Sequence, residues 1–389
     1  MTVDRLQAGQ LGPYGNTWID TPELDRLAAD SFLLDHATIH TPRLDELLQA
    51  HWGDLLPALR QTGVNTTLFT DESAAAHHPL AELFDRVEYY EPSSPTGAAT
   101  RPDESHLAKF FLTAVDAWTD SPRDGLYWIH SQGMGGPWDA PNEFRGAYAD
   151  ELDPTPPDFV TPPCQMLDED ADPDEILGFV HAYAGQVTLL DLCLGSLLET
   201  LLDDDRAKET LFALLGLRGF PLGEHRRVGP LDEALYGELI HVPWFMRLPD
   251  GEGATERSQA LAQPADLSRT LLAWWDVEAP QRAAGVDLRL LIDGKINMLR
   301  DRVCTRAGDQ ERSIRTPGWH LRVAEDATGP IRHLFAKPDD QWEVNEVADR
   351  CPEIVEGLLA AIEEQEQAEA NGTAENVTPL DDVLLWGLE

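Results

Sequence analysis

Two recurring patterns of apolar and polar positions alternate along this chain. Short runs that are apolar or β-branched throughout, NTTLFT (Asn65 to Thr70), GLYWIHS (Gly125 to Ser131) and TLFALLG (Thr210 to Gly216), predict strands buried on both faces. Between them lie stretches with helical period and recognisable ends. Thr21 as N-cap and Pro22 in the first turn predict a short helix to about Asp30, and DLLPALRQTG closes a helix at Gly63. Asp172 and Pro173 open a long helix to about Leu202, ELIHVPWFMRL (Glu238 to Leu248) reads as one further strand, and Asp266 starts the helix DLSRTLLAWW. This alternation predicts an α/β fold with a mostly parallel central sheet sandwiched by helices.

From about Val303 the pattern changes to short strands, SIRT, WHLRV and HLFAK, and one closing helix from Pro352 to about Gln365. The expected organisation is an α/β/α domain over residues 1–302, a small C-terminal antiparallel α+β subdomain over 303–366, and an acidic tail over 367–389 whose apolar patch DDVLLWGLE can dock onto the body. The first strand is short, because Met1 precedes Asp4 by only three residues. An apolar strand of about seven residues is expected at such a buried position, so the true N-terminus is expected upstream.

Composition narrows the function classes. With 389 residues and 42% apolar content the chain can build a large core. The 70 acidic residues against 29 basic give a formal net charge of −41, a field that repels nucleic acid, anionic lipid and polysulfated glycans. The acidity is concentrated between Arg145 and Arg206, where no Lys or Arg occurs, and the Pro-rich segment Glu151 to Glu175 reads as an ordered surface excursion or a flexible loop. No apolar run is read as approaching the ~18 residues of a membrane span, and no signal peptide is present, so the chain as written is expected to be cytoplasmic. Cys164, Cys193, Cys304 and Cys351 are far apart and read as isolated thiols.

Five segments carry a family resemblance. LGPYGNTWIDTPELDRLAADS (Leu11 to Ser31), FVHAYAGQVTLLDLCLGSLLETL (Phe179 to Leu201), the run Leu222, Gly223, Glu224, His225 followed by His241, Val242, Pro243, then SIRTPGWHLRV (Ser313 to Val323) and LFAKPDDQWEVNEVADR (Leu334 to Arg350) occur in the order and spacing seen in sulfatases. The chain resembles the sulfatase family of the alkaline phosphatase superfamily over nearly its whole length. The resemblance implies the family's α/β/α fold with a small C-terminal sheet. It also implies a Ca²⁺ or Mg²⁺ site, and a formylglycine nucleophile made from Cys or Ser in a C/S-x-P-x-R motif.

Carried over position by position, the chemistry is missing. Aligned on Pro42, His40 occupies the nucleophile position and Leu44 the Arg position; Thr41 and Arg43 are each one residue off, leaving Thr41 as the sole candidate for a relocated nucleophile. At the metal positions Asp4 remains, while Arg5, Leu217 and Arg218 replace ligands, and a guanidinium cannot ligate a cation. Thr70, Asp71, Glu72 and Ser73 stand where the family has a Lys and a His, Gly135 at another His, and Asp232 or Glu233 at a late Lys. Asp35, His36 and His40 have a spacing that holds a cation if helical, with His51, His77 and His78 as further donors. Ordinary surface or partly buried histidines are the bland reading of that set. His130, His225 and His241 read as packing or scaffold residues. Trp138 and Asp139 suit either a pocket wall or a structural turn.

The expectation is therefore a sulfatase-like pseudoenzyme without a bound metal cofactor, acting as a binding or regulatory protein. Its pocket would face a ligand with Asp71, Glu72 and Asp232 or Glu233, favouring a neutral or cationic one. Two alternatives stay open: an active sulfate or phosphate ester hydrolase with a relocated site around Asp4, Thr41 and the histidines, and a structural partner of an active homologue. The expected partners exclude nucleic acid and membrane and leave homo- or hetero-oligomers open.

Overall fold

The computed structural model of the protein describes residues 1–122, 124–203, 205–280, 284–326, 329–372 and 377–387. Its strands are β1 (Thr2–Val3), β2 (Phe32–Thr38), β3 (Thr66–Thr70), β4 (Arg86–Tyr89), β5 (Leu126–Ser131), β6 (Gln165–Met166), β7 (Phe212–Gly216), β8 (Arg227–Val228), β9 (His241–Val242), β10 (Trp244–Arg247), β11 (Arg257–Ala262), β12 (Val303–Ala307), β13 (Glu311–Arg315), β14 (Trp319–Asp326) and β15 (Gly329–Ala336). Among the described residues a nine-stranded sheet runs β11-β2-β10-β7-β1-β5-β3-β4, with β9 pairing to β2. β7, β1, β5, β3 and β4 are mutually parallel, whereas β10 is antiparallel to both β7 and β2. The fold is thus the mostly parallel α/β arrangement expected, with a separate antiparallel sheet near the C-terminus. By its contacts the chain forms two compact units: Met1–Leu33, Leu56–Leu231 and Val242–Arg257 make the first, and Leu34–Leu55, Asp232–His241 and Ser258–Glu389 the second.

In the first unit, β1 is an interior strand of the sheet, Thr2 facing His130 of β5 on one side and Leu215 of β7 on the other. Two residues suffice because both neighbours supply ladder partners, and Asp4 N extends the pairing to Ser131 O at 2.9 Å. The helix Pro173–Asp203 forms the spine of this unit's core. Its stretch Pro173–Leu201 does contain a window apolar and long enough for a membrane span, contrary to the sequence reading, but 72% of that window is buried. Ala182, Tyr183, Val187, Leu190, Leu194 and Leu197 are nearly or fully enclosed, as in the core helix of a large domain. Behind the C-terminal ends of the strands, the rings of Trp138, Tyr183 and Phe220 pack at centroid distances of 5.1 to 5.7 Å. The acidic Pro-rich excursion is ordered: Arg145 Nη1 donates to Pro157 O at 2.6 Å, its Nη2 donates to Trp138 O, and its guanidinium lies over Phe159.

The helix Pro22–Ala29 begins where Thr21 and Pro22 predict, but Thr21 does not cap it. Thr21 Oγ1 instead accepts from Gly12 N at 3.0 Å. The free amides of the first turn are taken by Asp191 of the long helix, whose two oxygens accept from Glu23 N at 3.1 Å and Leu24 N at 2.8 Å.

The second unit is built on the sheet β12-β13-β14-β15, an antiparallel meander. The helix Pro352–Ala370, about one turn longer than expected, lays Ile354, Val355, Leu358 and Ile362 against Ile314, Leu321 and Leu334. The apolar end of the tail forms the helix Asp382–Trp386 and docks there: Trp319 Nε1 donates to Val383 O (2.8 Å), Thr316 Oγ1 to Leu384 O (2.9 Å) and Gly318 N to Leu385 O (2.8 Å). Residues 388–389 of that patch lie outside the described ones. The helix expected from Asp266 starts two residues earlier, at Pro264, and Asp266 reaches back to Gln263 N at 2.7 Å as the third-position acid of a capping box. The single strand expected over Glu238 to Leu248 is divided into a helical turn (Gly237–Ile240), β9 and β10. Pro243 separates the two strands, since it has no N–H to give to a ladder.

Asp191 supplies a test of this long-range capping. Asp191→Ala should lower the urea unfolding midpoint, with a stability loss of about 1–2 kcal/mol. Burial pushes the Asp191 carboxyl up to about 6 from 3.8, so between those values the folded state binds more protons and stability falls as pH rises. Asp191→Asn should flatten that slope; a slope of wild-type size in the variant would show that another group carries it.

Candidate functional site

At the C-terminal edge of a parallel sheet, strand ends deliver side chains into a common crevice. Here β3 ends in Asp71 and Glu72, β5 in Gln132 and Gly133, β1 in Asp4 and Arg5, and β7 in Leu217 and Arg218. All belong to the first compact unit. The chain turns tightly after β1 and β5. Arg5 adopts φ of 60°, a left-handed conformation strained for a side-chain-bearing residue, and Gly133 has φ of 54° with its Cα against Asp4 O, leaving no room for a Cβ. Met134 N donates to Asp4 O at 3.1 Å, and Tyr183 Oη donates to Arg5 O at 3.0 Å while accepting from Gln7 N at 3.0 Å.

The sequence-derived metal positions come together, in an ionic arrangement. Asp4 is 3% exposed and Arg218 8%. Arg218 Nε donates to Asp4 Oδ1 at 2.9 Å and its Nη2 to Asp4 Oδ2, a two-pronged pairing, while Arg5 Nε lies 3.9 Å from Oδ2. Burial alone would raise the Asp4 carboxyl, but Arg218 first, then Arg5 and His130, hold it below its ordinary range. Both carboxylate oxygens are thereby engaged by a guanidinium. The Cα of Gly135 leaves space that the Arg5 side chain uses: a Cβ there would meet Arg5 Cγ at 3.3 Å. Leu217 is fully buried, its amide donating to Val3 O at 3.0 Å. His130 is a buried core histidine. Trp128 Nε1 donates to Thr2 Oγ1 (3.1 Å), that hydroxyl is hydrogen-bonded to His130 Nδ1 (2.9 Å), and burial pushes the ring down to about 4.

Asp71 differs from the reading that turned it toward a neutral or cationic ligand. Its Oδ1 accepts from Gln132 N at 2.7 Å, its Oδ2 bonds His106 Nε2 at 2.9 Å, and its carbonyl accepts from Gln132 Nε2 at 2.5 Å. Its carboxylate is spent on joining β3 to β5 and to the helix His106–Thr119. Asp139 completes this network by accepting His106 N at 2.7 Å, a structural role, and burial raises its carboxyl. Trp138 is fully buried with its Nε1 donating to Met134 O. Glu72, raised by burial and then by Asp4 and Asp71, caps a short helix by accepting Ala74 N at 3.3 Å. Glu224 braces the same corner, its Oε1 accepting from Gln7 Nε2 at 3.0 Å and its Oε2 from Leu222 N at 2.5 Å. Sequence reasoning missed Gln132, His106 and Gln7, whose partners are distant in sequence.

The nucleophile-position residues belong to the second unit, between β2 and the helix Leu44–Trp52. His40 is half-buried; burial lowers its ring and its carbonyl accepts from Arg306 N at 2.9 Å. Thr41 is 1% exposed, its hydroxyl oxygen accepting from Arg43 N at 3.3 Å. Arg43 points outward to Asp45 and Glu46. Asp232 is half-buried and Glu233 exposed in the same unit. Asp35 and His36 lie on β2, not on a helix, so four residues separate His36 from His40 by roughly 13 Å rather than one helical turn. His241 Nε2 donates to Asp35 O (2.7 Å), His51 is buried, and His77 and His78 hydrogen-bond their own short helical turns. Among the described residues no three His, Cys, Asp or Glu side chains are grouped as a metal site.

A family model described as sulfatase matches residues 2–277. The chain is similar in structure to the phosphonate monoester hydrolase of Agrobacterium radiobacter (14% identity, covering 95% of each chain, TM-score 0.73) and to that of Silicibacter pomeroyi (16%, 96% of this chain and 95% of that one, 0.70). It is also similar to a protein solved in complex with its substrate D-glucosamine-2-N,6-O-disulfate (15%, 97% and 98%, 0.76). No curated protein matches the chain in sequence. At such identities the structural likeness speaks to the fold.

The Asp4–Arg218 pair makes the stability prediction of this site. Arg218→Met strands a buried carboxylate and should cost about 3–5 kcal/mol in urea unfolding, whereas Asp4→Asn combined with Arg218→Met should recover most of it. Because the folded carboxyl is held low, its contribution is present above 3.8 and lost as pH falls through the lower folded value. A loss below about 1 kcal/mol, the size of an exposed pair, would show that the pair does not organise the corner.

Proposed function

This chain belongs to the sulfatase family, and we propose that it is a member without hydrolytic chemistry, acting as a binding or regulatory protein. The observation that carries the reading is the guanidinium of Arg218 on both oxygens of Asp4. A divalent cation requires several carboxylate, carbonyl or neutral imidazole donors. At this corner Asp4 already has a cation, Asp71 is held by Gln132 and His106, Arg5 adds a second positive charge, and Leu217 offers no side-chain donor atom to a metal. These residues do not fit a Ca²⁺ or Mg²⁺ ion.

The nucleophile region supports the same reading. Formylglycine is made from Cys or Ser, and His40 and Thr41 stand where the family resemblance puts the motif. Thr41 is buried, with its oxygen engaged by a local amide and, among the described residues, no base bonded to it. Asp71 cannot act as an acid or base toward a ligand without giving up the bonds that join β3 to β5. Because metal, nucleophile and oxyanion donors work as a unit, loss of each in turn leaves little of the rate.

Two measurements on the purified protein test this. Elemental analysis after exposure to Ca²⁺ and Mg²⁺ should find no stoichiometric metal, and Leu217→Asp alone should not create uptake. Aryl sulfates, aryl phosphates and phosphonate monoesters should not be turned over above background. One tightly held equivalent of metal lost in Asp4→Asn, or turnover abolished by Thr41→Ala, would instead establish a working hydrolase with a relocated centre.

A further inference from the structure

Within the second compact unit lies a cavity of about 290 Å³ whose lining departs from the rest of the molecule. The chain carries 70 acidic residues against 29 basic, yet His36, Arg300 and Lys337 line this cavity and, among the described residues, no Asp or Glu does. We propose that it is a binding site for a small organic oxyanion, a carboxylate or phosphate monoester borne on a flat apolar body. The site is separate from the Asp4 corner and stands whether or not that corner catalyses anything.

Arg300 supplies the recognition geometry. Its Nη1 donates to Leu261 O (2.5 Å) and Asp266 Oδ2 (2.8 Å), and its Nη2 donates to Asp266 Oδ1 (2.5 Å). Asp266 is fully buried, so the guanidinium is held rigidly from behind. Its Nε–H and second Nη2–H have no partner among the described residues. Those two parallel donors form the side edge that pairs with two oxygens of a carboxylate or phosphate.

The surroundings favour the same ligand class. Lys337 Nζ is committed to Glu343 Oε1 (2.8 Å), Asp340 O (2.7 Å) and Gln341 O (3.3 Å), so it shapes the wall rather than donating to a ligand. His36 is pushed down to about 3, by burial first and then by Arg315, His241 and Lys337, so its ring lines the wall as a neutral group. The amides of Asn297 and Gln259 add donors that no described residue claims. Trp386, 62% exposed on the docked C-terminal helix, offers a flat apolar face at the rim. The volume is at the lower end of ligand pockets, about 300 Å³, and suits one ring with one anionic group.

Calorimetric titration of the full chain with benzoate, phenyl phosphate, inorganic phosphate and benzamidine tests the proposal. Saturable binding of benzoate or phenyl phosphate, weakened by added salt, is expected, with none of benzamidine. Asn297→Asp, which places a negative charge in the lining without touching the buried Asp266 pair, should weaken binding at least tenfold with Tm unchanged. Trp386→Ala should weaken the aromatic probes and spare inorganic phosphate. Absence of saturable uptake of all three anions up to about 10 mM, beyond the weakest useful affinities, overturns the proposal. So does preferred binding of benzamidine, or anion binding indifferent to both substitutions. None of these outcomes bears on ester turnover, so this site and the reading of the Asp4 corner fail separately.

Discussion

A carboxylate buried at the end of the central strand imposes the first constraint on this molecule. Asp4 follows β1 directly and is enclosed by β5 and β7, so its position is fixed by the sheet and it cannot reach water. Removing such a charge from water costs several kcal/mol unless a partner and hydrogen bonds compensate. Arg218 provides both from the end of the adjacent strand, and Arg5 accepts a strained backbone conformation to bring a second cation near. The bonds around them follow from that need. Met134 N, Tyr183 Oη and Glu224 hold the turn rigid, and rigidity is what keeps two oxygens and a guanidinium in register.

The same economy governs the chain's other cations. In a protein of net charge −41, Lys and Arg are scarce, and several that are buried or half-buried are paired with a carboxylate. Arg300 faces Asp266, Arg322 faces Glu311 and the ring of Tyr236, Arg302 faces Asp301, and Lys337 and His320 share Glu343. Glu343 is held far below the ordinary carboxylate range, burial being outweighed by His320 and Lys337. Interior pairs cost desolvation but fix geometry, whereas exposed pairs are worth about 0–1 kcal/mol. The surplus of acid is therefore a property of the outside, and the composition read as a repulsive field says little about the interior.

How much of this was legible in the sequence depends on the distance over which each feature is decided. Strands such as Thr66–Thr70 and Phe212–Gly216 and the long helix from Pro173 are written in local period, and the structure places them where the pattern does. Features that depend on remote partners were not. Asp191 caps a helix 167 positions away, and nothing near either residue marks the pair. Asp71 looked like a charge facing a ligand because its partners, His106 and Gln132, are 35 and 61 positions distant. The Asp4–Arg218 contact spans 214 positions and was approached only because a family resemblance put both residues at one corner. Pro243 was visible in the sequence, and its missing N–H explains why one predicted strand became two.

The segments that carry the family resemblance perform structural tasks in this chain. Asn16 closes a turn through Trp18 N and Ile19 N, Tyr14 Oη accepts Trp244 N at 2.6 Å, Asp191 caps, Glu224 braces Gln7, and Arg315 gathers the carbonyls of Thr316, Pro317 and Trp319. None of these bonds requires a metal or a nucleophile, so the fold can stand without either. What does require an answer is the charge of Asp4. A metal ion answering it would come from solution and leave to a chelator, while keeping coordination positions open to a substrate. Arg218 arrives with folding and cannot leave, and by taking both carboxylate oxygens it makes Asp4 a fixed element of the sheet's edge.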